Sequence, residues 1–190
     1  MLIIHRFASS MHRRLARLAR DERGVSAVEF GMLLPLMLSL YLGAVEVATA
    51  VAVDRKVTLA ARSVADLISQ SSSVSTTDIN NILEAAGAVT APYSDAPLKV
   101  TVSQVKIDAN KNATIQWSAA KNATPYTNGS GATVPDNLKV ANTWLIMGEV
   151  TYAYKPVIGY VLTGTINLKD QIYMRPRQSL CVTKDATACS

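Results

Sequence analysis

The chain has 190 residues, of which 49% are hydrophobic and 17% charged, with a formal net charge of +5. That balance excludes both an intrinsically disordered chain and a membrane protein of many spans. Six arginines (Arg6, Arg13, Arg14, Arg17, Arg20 and Arg23) against Asp21 and Glu22 put +4 before Val25 and leave +1 for all that follows, a distribution that points to membrane topology and not to nucleic acid.

Residues 1–24 mix those arginines with Leu2, Ile3, Ile4, Phe7, Met11, Leu15 and Leu18. Two readings stay open: a basic amphipathic helix on an anionic membrane surface, or, the simpler one, a leader held in the cytoplasm by its positive charge. Both histidines, His5 and His12, lie here. Beyond Gly24 there is accordingly no histidine for general acid–base work, a Ser-His-Asp arrangement or a His-ligated metal. Neither a cofactor nor a metal site is expected.

Residues 25–53 carry Glu29 and Glu46 as their only charges before Asp54. As a helix this stretch would span roughly 43 Å, enough to cross a hydrocarbon core of ~30 Å. Pro35 removes one backbone donor and is expected to kink or loosen it. Gly31, Gly43 and several alanines offer places for close helix approach. Glu29 is the sharper signal, since a carboxylate inside a membrane segment costs roughly 2.5–3.5 kcal/mol on insertion scales and marks a partnered function. Glu46 is expected only to mark the outer interface. Ala48-Thr49-Ala50 has the small-x-small form cut by signal peptidase I, which would release residues 51–190 as a soluble exported domain.

Beyond Val53, Val57, Ala60, Ala61, Val64, Leu67 and Ile68 recur at spacings of three and four, so the helix is expected to continue as an amphipathic arm packed on a sheet. Residues 70–73 break it. Ser75-Thr76-Thr77-Asp78 opens a second helix over 78–86, with Ile79, Ile82, Leu83 and Ala86 on its apolar face and Gly87 as its stop. From Pro97 the period becomes two: Leu98, Val100, Val102, Val105 and Ile107, with a slip near Gln104 that reads as a bulge. Residues 108–112 read as a turn, 113–118 as the returning strand and 121–135 as loop. Asn112, Asn122 and Asn128 start N-x-S/T triplets, to which no function is assigned. Residues 144–154 form a strand, with 157–162 and 171–175 as further candidates. Tyr152, Tyr154, Tyr160 and Tyr173 are expected in sheet packing more than on an adhesive surface. Arg175 and Arg177 face either an acidic partner or solvent. Cys181 and Cys189 make a poor zinc site; the reading taken is a disulfide in an oxidising compartment, with free thiols as the alternative.

Arg23-Gly24-Val25-Ser26-Ala27-Val28-Glu29-Phe30-Gly31-Met32-Leu33-Leu34-Pro35 resembles the start of TadE-like minor pilins (pseudopilins) of the Tad/Flp tight-adherence system. Tyr173-Met174-Arg175-Pro176-Arg177 is similar to a recurring end of that family. The resemblance implies a prepilin peptidase that cuts between Gly24 and Val25, with glycine required beside the scissile bond and Glu29 and Phe30 used for recognition or assembly. It also implies the other partners: further Tad/Flp pilins, an inner-membrane assembly platform and the lipid bilayer.

The expected fold is α+β and pilin-like, a long N-terminal membrane-spanning helix on a small, mostly antiparallel sheet. Its expected divisions are a leader at 1–24, a transmembrane helix at 25–53 and a periplasmic domain at 54–190, the N-terminus staying in the cytoplasm. The expected function is structural and not enzymatic: a subunit that assembles or initiates a pilus used in surface adhesion. Its alternatives are a membrane-tethered periplasmic binding module and the exported domain released after Ala50.

Overall fold

A computed structural model describes residues 23–159, 161–185, 187 and 189. Most of the basic leader, residues 1–22, lies outside the described residues, as does Tyr160. The chain divides into two compact units, one ending at Val45 and the other beginning at Glu46.

Helix α1 runs over Arg23–Ser69. Up to Val45 its apolar side chains are almost all exposed. From Glu46 onward it belongs to the second unit, where Val53, Val57, Ala60, Ala61, Val64, Ala65 and Ile68 form a buried stripe at spacings of one, three and four. Leu67, expected on that stripe, is instead exposed, and Ala65 is buried. The two flank the stripe at similar angles, but Ala65 is on the side where the sheet comes closest. A β-carbon added to Gly148 would lie 2.8 Å from the Ala61 carbonyl oxygen and 3.1 Å from the Ala65 β-carbon.

After strand β1 (Ser73–Val74), helix α2 covers Thr76–Val89. Ser75 caps it as the sequence implies: its hydroxyl accepts from the Asp78 N–H, and Asp78 accepts from the Ser75 N–H at 2.9 Å. This reciprocal box satisfies two donors that would otherwise be orphaned at the helix start. Ile79, Leu83 and Ala86 are buried as expected. Gly87 is not the stop. It lies inside the helix, where Asp95 packs 3.2 Å from the place its β-carbon would take, and Thr90 closes the end by donating its hydroxyl to the Gly87 carbonyl.

Strands β2 (Leu98–Ile107), β3 (Ala113–Lys121), β4 (Thr143–Tyr154) and β5 (Ile166–Met174) form an antiparallel sheet in the order β3-β2-β4-β5. The turn at 108–112 is held by Asp108, which accepts from the Asn110 and Asn112 N–H groups, both at 2.8 Å. These bonds hold the Asp108 carboxyl below the usual range, with the Asn112 side chain as the largest contributor.

The apolar parity of β2 does change near Gln104, but β2 itself is regular: its register with β4 runs unbroken from Leu98↔Tyr152 to Ile107↔Thr143. The parity changes because both faces of the sheet are covered. Leu98, Val100 and Val102, with Ile146, Val150, Tyr152 and Tyr154, pack with the two helices. Val105, Ile107, Leu145 and Met147 face the other way, under Val134 from the long β3–β4 connection. The register shift lies against β3, where Gln116 is the inserted residue between the Val105↔Ile115 and Gln104↔Trp117 pairs. The insertion turns Ile115 to one face and Trp117 to the other.

Of residues 157–162, expected as a possible strand, the described ones (157–159, 161 and 162) are irregular, and the last strand of the sheet begins at Ile166. Gly159 (φ 69°) and Gly164 (φ 81°) take left-handed backbone there, which side chains with a β-carbon disfavour and strands do not use. After β5 the chain returns to the helices. Strand β6 (Thr183–Lys184) pairs in parallel with β1, and Val182 is fully buried in the main core.

Candidate functional site

Gly24, Val25, Glu29 and Phe30 lie in the first two turns of α1, and all four are exposed. Val25 and Glu29 are one helical turn apart and so share a face. Among the described residues a β-carbon at Gly24 or Gly31 would meet nothing within 4 Å, so their packing does not require either glycine. Helix α1 continues through Pro35. The donor that proline lacks would have served the Gly31 carbonyl, where the small residue also leaves room for the ring. From Val25 to Tyr41 the large apolar side chains are exposed around the whole circumference, including Phe30, Met32, Leu36 and Leu40. A helix apolar all round belongs among other apolar groups, in lipid or in a bundle.

Glu46 departs from its expectation as a simple interface marker. It is only 3% exposed. Its carboxylate accepts from the backbone N–H groups of Val161 (2.8 Å) and Leu162 (3.1 Å), tying α1 to the β4–β5 connection. Sequence reading missed this because the partners lie more than a hundred residues away and are backbone donors, which no residue pattern displays. Ala48-Thr49-Ala50 lies inside α1, and Ala50 packs against the main core.

The Tyr173–Arg177 motif also acquires a structural role. Tyr173 donates its hydroxyl to the Thr133 carbonyl at 2.6 Å, fastening the β3–β4 connection over the second core. The Arg177 N–H donates to the Ser69 carbonyl at the end of α1 (2.8 Å), and its guanidinium pairs with Asp66. Arg177→Ala is expected to cost only about 0.5 kcal/mol in a melting comparison, because the pair is surface-exposed and the backbone bond survives. Tyr152 and Tyr154 are core residues, as expected. Cys181 and Cys189 are placed with α-carbons 6.4 Å apart, inside the range a disulfide spans. Among the described residues no group of three or more His, Cys, Asp or Glu side chains could hold a metal.

A polar cluster on the second face of the sheet was not anticipated. Glu149, nearly buried, accepts from the Tyr126 hydroxyl at 2.7 Å and pairs with Lys169 at 3.4 Å. The hydrogen bond to Glu149 and, second, burial push the Tyr126 phenol up to about 12. A raised tyrosine value means this stabilisation is fully present below the unfolded value of ~10 and is lost as pH rises through the folded one. Ultraviolet titration of the wild type minus Tyr126→Phe should therefore show one phenol ionising near 12, and the difference in stability between the two chains should vanish above that pH.

With one described helix long and apolar enough to cross a membrane, and a mixed α+β body built on its second half, the chain has the form of a single-pass membrane-anchored protein. The family model of TadE-like protein matches residues 24–66. The match begins at Gly24 and ends one turn short of the end of α1, so it takes in the exposed apolar segment and all of the packed stripe except Ile68. This N-terminal segment, less than a quarter of the chain, is similar to TadE-like protein. No curated protein and no solved structure matches the chain.

Proposed function

We propose that the chain is a TadE-like minor pilin: a subunit processed after Gly24 by a prepilin peptidase, retained in the inner membrane by α1, and assembled with other Tad/Flp pilins through the assembly platform into a pilus used for surface adhesion. The observation that carries this reading is the family match beginning at Gly24, together with an apolar segment that is almost entirely exposed from Val25 to Val45. At ~1.5 Å per residue, residues 25–45 span about 32 Å, one hydrocarbon core. The membrane segment then ends where the packed unit begins, before the Val53 boundary expected from the sequence, because Glu46, Ala50 and Val53 are already engaged in the body. The basic leader stays in the cytoplasm and the α+β body lies in the periplasm, where Cys181 and Cys189 form a disulfide.

Glu29 has two uses on this reading. It is read with Phe30 by the processing and assembly machinery, and in the bundle its carboxylate pairs with the new α-amino group of Val25 on a neighbouring subunit. Pairing offsets the desolvation that either charge would suffer alone in an apolar bundle. Release by signal peptidase after Ala50 is the less economical reading, since it would cut within α1 and discard Glu46 with its two backbone bonds. Mass spectrometry of the mature N-terminus tests the proposal. A chain starting at Val25 is expected; a start at Met1 would leave a tethered module, and a start at Val51 an exported domain.

A further inference from the structure

Between Tyr154 and Ile166 the sequence is rich in apolar residues and glycine, and Lys155 is its only charge. Val157 is 94% exposed, and Ile158 and Val161 are about half exposed. Leu180 is comparably exposed but stands alone between Ser179 and the buried Cys181, whereas the 157–161 tip concentrates three aliphatic side chains. Among the described residues these three side chains stay exposed. The tip is nonetheless fixed in place, because Glu46 accepts from the Val161 and Leu162 N–H groups. Glu46 directly follows Val45, the end of the exposed apolar segment of α1.

We infer that the β4–β5 connection is a membrane-contact loop that seats Val157, Ile158 and Val161 in the interfacial layer of the bilayer α1 spans. The inference rests on the reading of residues 25–45 as a transmembrane helix. Three features select lipid as the occupant. The loop is bonded to the residue at which that helix leaves the hydrocarbon, so its depth is set by covalent continuity with the anchor. Backbone donors entering an apolar layer must be satisfied internally, and the carboxylate of Glu46 does this for two of them at the tip. The single charge, Lys155, is exposed and cationic, which suits an anionic headgroup layer and can reach it from a shallow position. Glu46 thereby ties the loop tip to the first turn of the packed part of α1, a role different from that of Glu29.

The test uses the full chain in phospholipid nanodiscs of phosphatidylethanolamine and phosphatidylglycerol. A small environment-sensitive fluorescent amino acid is placed, in separate chains, at Leu38, Val157 and Leu180. Leu38 reports on the anchor. Leu180 follows Arg177, whose N–H bonds the far end of α1, roughly 34 Å along the helix from Glu46. The expected result is blue-shifted emission, quenched by nitroxide-bearing lipid, at Leu38 and Val157 but not at Leu180. In the Glu46→Gln chain the Val157 signal should shift back toward the aqueous one while that at Leu38 stays. Lipid quenching at Leu38 with an aqueous signal at Val157 overturns the loop proposal and leaves the anchor intact. An aqueous signal at Leu38 overturns the anchor and the loop together. Shielding of Val157 without lipid quenching, seen only when other pilin subunits are present, assigns the tip to a neighbouring subunit and also overturns the proposal.

Discussion

A chain carrying Gly148→Val should melt well below the wild type, by roughly 6–12 °C for an overpacking cost of about 3 kcal/mol in a body of this size. The cause is specific. Position 148 is where the sheet touches α1, and a new β-carbon would stand 2.8 Å from a main-chain oxygen of that helix. A side chain can swing away from an intruder, but a hydrogen-bonded helical carbonyl cannot. The helix must instead retreat from the sheet along the stripe that includes Ala61 and Ala65, opening gaps at Val57 and Ile68. Circular dichroism melts of the full chain in mild detergent would measure this, with Gly148→Ala expected to lie between the two. An unchanged midpoint in the valine chain would mean that helix and sheet are not in contact there.

The second large effect separates processing from assembly. Gly24→Val should leave the leader attached, so the chain accumulates in its full-length form. Glu29→Ala should be trimmed to Val25 at the normal rate and then fail to assemble. Removing one partner of a buried ion pair strands the other and costs about 3–5 kcal/mol, enough to abolish incorporation at a single interface. N-terminal mass spectrometry reads the first step, and immunoblotting of sheared surface fibres reads the second. Normal fibre incorporation of the Glu29→Ala chain would sink the pairing with Val25.

What the sequence made legible was local. The apolar run and its amphipathic extension foretold α1, and Ser75 with Asp78 foretold the start of α2, since capping is a matter of three residues. Asp108 foretold its turn because an aspartate bonds the backbone a few positions on. Alternation foretold β2, β3 and β4. The failures are equally physical. The run Val157-Ile158 and Val161-Leu162 has strand-like composition, yet left-handed glycines at 159 and 164 make it a connection. The slip read near Gln104 does mark a register shift, but the extra residue is Gln116 on β3, and the parity change in β2 also records a sheet covered on both sides, which depends on where residues 122–142 cross. Glu29 could be singled out from the sequence because its environment is continuous apolar chain. Glu46 could not, because its meaning comes from two N–H groups supplied by a distant loop.

The segment from Cys181 to Asp185 follows every strand of the four-stranded sheet, yet it completes the core that those strands begin. Trp117 donates its indole N–H to the Val182 carbonyl at 2.9 Å, Gln104 accepts from the Val182 N–H at 2.6 Å, and Asp185 accepts from the N–H of Thr76 in the first turn of α2. Without residues 182 and 185 a buried glutamine, an indole and a helix start would all lack these bonds. The segment is therefore a latch: it closes from the end of the fold a core whose strands all come earlier in the chain.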